Sequence, residues 1–362
     1  MSKFNPNIIP PNYHTLGAAC LVFAVWLVGF IAIPAMGISW DENVQRQLGL
    51  LNYDFINGIN QDLLLFKDRV YGVAIELPLI YFEKWFHLED TRSIFLFRHY
   101  FTYSLFCLAA FTFFLLAKTA TQHKSSAWFA LALFLCCPRI FGHAFFNSKD
   151  IPFLCFQIFS LYALYKALFL EKIDIKWILI YAFLIGILIN IRILGVATFA
   201  VGIAAMIIQI YLKKDWNKYF IIPVSIGISG IVLYLTWPYL WADPLNRFLE
   251  SYEIMSQFPW DGTTRFLGED LQAGKDLSTY IFEWLRISIP ILSLGMIILS
   301  TLALPFLLRK HNNSTLFALF MLALSWGIIA VVIYKNSVIY DDWRHLYFIW
   351  PALIWPAILA WD

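Results

Sequence analysis

The chain has 362 residues, 60% of them apolar and only 14% charged, with a mean hydropathy of +0.69. Ordinary soluble domains carry about 45–50% apolar and about 25% charged residues, so the composition excludes a typical water-soluble protein. The formal net charge of +2 comes from isolated basic residues, not from a stripe that could track a phosphate backbone, which argues against nucleic acid as a partner.

Apolar runs near the roughly 17–25 residues needed to cross hydrocarbon recur along the whole chain. In order, spans are expected near 17–40, 95–117, 125–138, 151–170, 177–191, 193–212, 219–237, 287–308, 313–334 and 345–361. The chain therefore reads as an all-α polytopic membrane protein of about ten transmembrane helices, one transmembrane domain over 1–362. The third and fifth runs are short and are expected to tilt, extend or form a re-entrant pair. The first run is too long for a signal h-region and lacks a cleavage site followed by a polar mature domain, so it reads as a retained anchor.

The cations set the orientation. With the N-terminus in the cytoplasm, the inner segments hold Lys3, Lys118, Lys124, Lys172, Lys176, Lys213, Lys214, Lys218, Arg309 and Lys310. Against these stand only Glu171, Asp174 and Asp215, the asymmetry that the positive-inside rule describes. Most other carboxylates, Asp261 and Asp341 among them, fall on the opposite side, which carries the long connections at about 39–94 and 238–286. The first of these loops alternates charges with apolar clusters at 63–66 and 70–85, the pattern of helices lying along the membrane interface. Many of the 15 Trp and 18 Tyr sit near span ends, where anchoring in the headgroup layer explains most of them. The five cysteines lie in apolar runs without metal-ligand or disulfide spacing. No Walker loop or dinucleotide fingerprint is present, which argues against direct use of ATP or NAD.

Two acidic sites stand out on the loop side. The first is Trp40-Asp41-Glu42-Asn43, directly after the first apolar run. Its bland reading is a solvated helix cap. The second is the dense segment Pro138 to Pro152, which holds Arg139, His143, Asn147, Lys149 and Asp150. Ionisable groups near membrane depth are expensive and face a cavity or a partner. Arg192, Arg247, Arg344 and His345 are further charged or titratable candidates for the same cavity, because Arg grips phosphate oxygens with a rigid fork. Each alone is equally well explained as a headgroup anchor.

The Asp41-Glu42 pair, the run Asn147-Ser148-Lys149-Asp150-Ile151-Pro152, the run Trp237-Pro238-Tyr239-Leu240-Trp241 and the segment Asp342-Trp343-Arg344-His345-Leu346-Tyr347 together resemble the C-superfamily (GT-C) membrane glycosyltransferases. The resemblance extends over nearly the whole chain and lies nearest the protein O-mannosyltransferase and lipid A aminoarabinose transferase branch. It implies a glycosyltransferase that takes sugar from a polyprenyl-phosphate carrier to an acceptor hydroxyl on the periplasmic or lumenal face, in a bacterial inner membrane on this reading. It also implies catalytic roles for Asp41, Glu42 and Asp150, with Asp41 the principal one. Lys149 and Arg344 are then the counterparts of residues near the lipid phosphate.

The residues suit that chemistry. A departing phosphate needs cations more than an acid, and Arg139, Lys149, Arg192, Arg247 and Arg344 are the candidates. The attacking hydroxyl must lose a proton to a base, assigned to Asp41. One base without a dedicated nucleophile favours direct displacement with inversion. His143, Asn147 and His345 are candidates for sugar or acceptor contacts. No cofactor is required; a divalent metal at Asp41, Glu42 and Asp150 stays open, although nothing in the spacing demands it. The partners expected are the lipid-linked donor, membrane lipids, an acceptor that the sequence does not identify, and optionally an accessory subunit, since the chain ends at Asp362 without the soluble C-terminal domain of larger relatives. The competing reading is a polytopic transporter or flippase for an anionic lipid or small molecule. It is weakened by carboxylates gathered on one face and by the lack of repeated halves.

Overall fold

The structure, a computed structural model, describes residues 13–256, 258, 260, 262–307 and 313–362. Lys3, Asp261, Arg309 and Lys310 of the topology argument, and the end of the run 287–308, lie outside the described residues. The chain folds into α-helices α1 (Tyr13–Ala32), α2 (Trp40–Ile56), α3 (Glu76–Trp85), α4 (Thr91–Ala120), α5 (Lys124–Leu135), α6 (Pro138–His143), α7 (Asp150–Leu168), α8 (Ile175–Ile191) and α9 (Gly195–Lys213). There follow α10 (Ile221–Thr236), α11 (Pro244–Ser256), strands β1 (Thr263–Phe266) and β2 (Glu269–Gln272), then α12 (Leu277–Ser288), α13 (Ile291–Leu307), α14 (Asn313–Leu322) and α15 (Ile328–Tyr334). The last described stretch is a 3₁₀ segment, Arg344–Ile349, and two short helices, α16 (Trp350–Leu353) and α17 (Trp355–Trp361).

Among the described residues, six helical segments are long and apolar enough to cross a membrane: 13–35, 91–120, 150–168, 195–213, 216–236 and 313–334. Three more apolar helices, Lys124–Leu135, Ile175–Ile191 and Ile291–Phe306, are shorter. The run 345–361, expected as one span, is not one helix. Pro351 and Pro356 each occupy the first turn of a new short helix, because proline fits a helix start but cannot donate within one.

α7 is the hub, packed by α4, α8, α9 and the 3₁₀ segment, and nearly every residue from Asp150 to Leu168 is buried. α1 lies on α4 and shows an outward face of Leu16, Leu21, Phe23, Leu27, Val28 and Ile31, suited to hydrocarbon because its backbone bonds are satisfied within the helix. α14 and α15 are joined through a π-helical turn, Ala323–Gly327, that packs on α16.

The first long loop forms α2 and α3, packed on each other. A buried ionic chain ties both to α4: Arg98 pairs with Glu76 and, at 2.7 Å, with Glu83, which also accepts from Arg46 at 2.9 Å. The second long loop corrects the all-α expectation with a two-stranded antiparallel hairpin, β1 against β2. Its two-residue turn places Leu267 at φ 50° and Gly268 at φ 91°. Two positive φ values match the strand twist, with glycine supplying one of them without steric cost.

Candidate active site

α1 ends in a 3₁₀ turn at Pro34, and extended chain leads to Ser39, the N-cap of α2. Asp41 and Glu42 follow in the first turn, where the helix dipole favours anions. Their environments differ sharply. Glu42 is buried; Oε2 accepts the Ser39 N–H at 2.5 Å and Oε1 lies 2.6 Å from His99 Nε2 on α4. Both oxygens are thus spent on fastening the helix, the reciprocal half of a capping box. The Asp41 side chain is 50% exposed, and its Oδ2 lies 2.6 Å from Arg344 Nη1.

Asp150 opens α7 and is buried. Asn147 Oδ1 accepts the Lys149 and Asp150 N–H groups at 3.2 and 2.8 Å, and its amide donates to Asp150 Oδ2 at 3.0 Å. The same amide lies 3.0 Å from His143 Nδ1. Arg192, the residue that ends α8, pairs with Asp150, and Arg344 Nη1 reaches it at 3.6 Å. Lys149 is half-buried, its Nζ 2.9 Å from the centre of the Tyr71 ring. Burial and the neighbouring Arg192 hold this amine well below its usual range, against the pull of Asp150. Tyr71 is kept in place by Gly72, on which any Cβ would strike the Asn190 backbone, and by Ala74 N–H donating to Asn190 Oδ1 at 2.9 Å.

The third contribution is the turn before the 3₁₀ segment. Asp341 and Asp342 have φ of 59° and 65°, a costly conformation for non-glycine residues that the surroundings must enforce. Arg344 Nη2 lies 3.5 Å from Asp341 Oδ2, so three carboxylates, from Asp41, Asp150 and Asp341, surround one guanidinium. Asp342 turns the other way, toward Arg139 and His143 of α6: Oδ2 is 2.5 Å from Arg139 Nε and 3.8 Å from His143 Nε2. Burial pushes the Asp342 carboxyl up to about 6 despite Arg139, and burial lowers His143 to about 4.

These groups surround a cavity of about 570 Å³. Asp41, Glu42, Arg139, His143, Asn147, Lys149 and Arg344 all line it. Asp150 and Arg192 stand behind that wall, joined to it through Arg344 and Asn147. Two expected residues do not reach it. Arg247 donates to the Tyr239 carbonyl at 2.6 Å and covers the Tyr239 ring, bracing the corner before α11. His345 stacks edge-on against Tyr340, 4.8 Å between ring centres. Among the described residues, no three His, Cys, Asp or Glu side chains gather as a metal site; Glu42 is taken by His99, and Asp150 by Arg192.

Sequence reasoning missed part of the lining: Trp260, Thr263, Thr264 and Arg265 around the hairpin, with Tyr280 and Trp284 of α12. It also passed over Asp342 as a site residue. The signal available was the doubled aspartate before Trp343-Arg344.

A helical polytopic architecture with a charged cavity set where α1 ends and α7 begins defines the class. That architecture is shared with two crystal structures of ArnT from Cupriavidus metallidurans. The apo form aligns with a TM-score of 0.63 at 14% identity. The form bound to undecaprenyl phosphate aligns with a TM-score of 0.60 at 15% identity. Each alignment covers 95% of this chain and 59% of the ArnT chain, so the chain spans about three-fifths of the length of those proteins. At 14–15% identity the likeness to ArnT is one of fold. No protein-family profile and no curated protein sequence matches the chain.

Proposed function

We propose that the chain is a membrane glycosyltransferase that moves a sugar from a polyprenyl-phosphate carrier to an acceptor hydroxyl, with inversion. The observation that carries this reading is the convergence of a reachable carboxylate, Asp41, with Arg139, Lys149 and Arg344 in one cavity. It is supported by a fold shared with a protein crystallised with undecaprenyl phosphate. Asp41 takes the acceptor proton as its oxygen attacks the anomeric carbon; the carrier phosphate departs toward the cations. Arg344, ringed by carboxylates, orients Asp41 and Asp150, while Lys149 and Arg139 are the better-placed phosphate ligands. Glu42 holds α2 in place. Asp150 pairs with Arg192 and Arg344, and His143 and Asn147 line the sugar's approach.

On this reading residues 1–362 work as one transferase unit of about ten membrane crossings, with α2 and α3 along the interface. The cavity faces the periplasm of a bacterial inner membrane and the lysine-rich loops face the cytoplasm, as their charge asymmetry requires. The test is transfer from a defined polyprenyl-phosphate sugar by the purified chain. Arg139→Ala and Lys149→Ala are each expected to weaken carrier binding by the roughly 1.5–3 kcal/mol of a charged hydrogen bond. Unchanged affinity in both variants would remove the phosphate assignment.

A further inference from the structure

Asp342 is buried in the cavity wall, and the reaction outlined above makes no use of it. Its side chain is fully inaccessible. The backbone around it is held in the left-handed region and its N–H donates to the Tyr280 hydroxyl at 3.1 Å. Tyr347 places its hydroxyl 3.2 Å from Oδ2. Such enforcement of an unfavourable turn asks what the carboxylate holds, and the answer is Arg139. Asp342 takes the Nε edge of that guanidinium at 2.5 Å, while Trp284 lies against it, 5.5 Å from ring centre to Cζ. Arg139 remains 43% exposed and lines the cavity. Arg344 faces three carboxylates, and Arg192 faces the buried Asp150. Among the described residues Arg139 has one carboxylate partner, Asp342 on its Nε edge, with the Tyr347 hydroxyl also beside it, and its half-exposed guanidinium is open through the cavity to an incoming anion.

We propose that Asp342 is a positioning residue that, with Trp284, aims Arg139 as the anion-binding fork of the cavity, and that protonation of Asp342 releases it. The inference rests on the carrier reading above and names the residue pair that gives it pH sensitivity. The groups facing Asp342 are Cys137, Arg139 and His143 at α6, Tyr280 on α12, and Arg344 and Tyr347 on the 3₁₀ segment. Asp342 loses its charge as pH falls through about 6, whereas His143 stays neutral until about 4. Both arginines keep their charge, and the thiol and phenols titrate in the alkaline range in their ordinary state. Lys149, whose amine is also held low, is common to wild type and Asp342→Asn, so a step near pH 6 that this substitution removes is assigned to Asp342.

The experiment titrates the purified full chain with undecaprenyl phosphate between pH 5 and 8. The second ionisation of a phosphate monoester also falls near pH 6, so inorganic sulfate, which stays a dianion over this range, is titrated beside it, and the pH dependence assigned to the protein is the one seen with both anions. At pH 7.5, Asp342→Asn is expected to bind about tenfold more weakly than wild type, the loss of one charged contact. That ratio is expected to approach one as pH drops below about 6. Arg139→Ala combined with Asp342→Asn is expected to bind no worse than Arg139→Ala alone, because the two act as one unit. Arg139→Lys, at a half-exposed site that tolerates the change, is expected to lose the same pH-dependent step even if Asp342→Asn does not fold. A pH-independent loss in Asp342→Asn, additive with Arg139→Ala, would show a merely structural role and overturn the proposal. So would an Arg139→Lys variant that keeps wild-type affinity and its step. If the wild type itself fails to bind undecaprenyl phosphate, the carrier reading falls and this inference with it; binding that ignores both substitutions removes this inference alone.

Discussion

With Asn at position 41 the side chain keeps its shape and its place beside Arg344 but loses the charge that accepts a proton. Transfer by Asp41→Asn is expected to fall about 10²–10⁴-fold, while undecaprenyl phosphate still binds, as measured by turnover and by titration of the same preparation. Glu42→Gln is expected to act on stability, because the residue it alters joins Ser39 to His99 and is buried. Arg344→Ala strips a buried guanidinium from Asp41 and Asp150. Removing one partner of such a group costs about 3–5 kcal/mol, so its melting temperature in detergent is expected to drop clearly. Arg344→Lys is expected to recover only part of it, since an ammonium cannot span three carboxylates as a planar fork does. The acidic pair was legible in the sequence; the division of labour within it was not read, although Ser39-x-x-Glu42 spells a capping box. Nothing local in the sequence distinguishes Arg247, which braces its own corner, from Arg139, which faces the cavity. That difference is made by contacts between residues far apart in the chain.

At the level of elements, the cavity depends on how the first long loop is clamped to the bundle. Arg98→Ala leaves Glu76 buried without its cation and Glu83 with Arg46 alone, and α3, on which α2 packs, loses its ionic tie to α4. The expected cost is about 3–5 kcal/mol, read as a lower melting temperature. Gly72→Ala is expected to cost about 1–3 kcal/mol by overpacking. Because the adjoining Tyr71 lies under Lys149, it is also expected to weaken undecaprenyl phosphate binding. Recovery of normal affinity in Gly72→Ala would show that Tyr71 has no part in holding Lys149. Long apolar helices such as α4, α7 and α9 were legible because composition alone keeps them in lipid. The hairpin was missed because its Leu267-Gly268 turn lacks the Asn-Gly signal and its strands are short. The run 345–361 misled for the opposite reason: its hydropathy suits a span, and only Pro351 and Pro356 reveal the breaks.

For the molecule as a whole, the two ends of the bundle carry different side chains. Lys118, at the end of α4, bonds Thr15 at the start of α1, and Lys213, at the end of α9, donates to the carbonyls of Leu168 and Leu170. These lysines mark the end of the bundle remote from Asp41 and Asp150. Single cysteines at 41 and 213, in a background lacking the native five, are expected to react with a membrane-impermeant reagent from opposite sides; labelling from one side would overturn the topology. Carrier-dependent transfer makes the more searching demand. The purified chain, given a polyprenyl-phosphate sugar and candidate hydroxyl acceptors, is expected to release polyprenyl phosphate, counted by mass spectrometry, with that release nearly abolished in Asp41→Asn. Release at the same rate from wild type and Asp41→Asn, or none from wild type with any acceptor while the carrier is bound, would contradict the account.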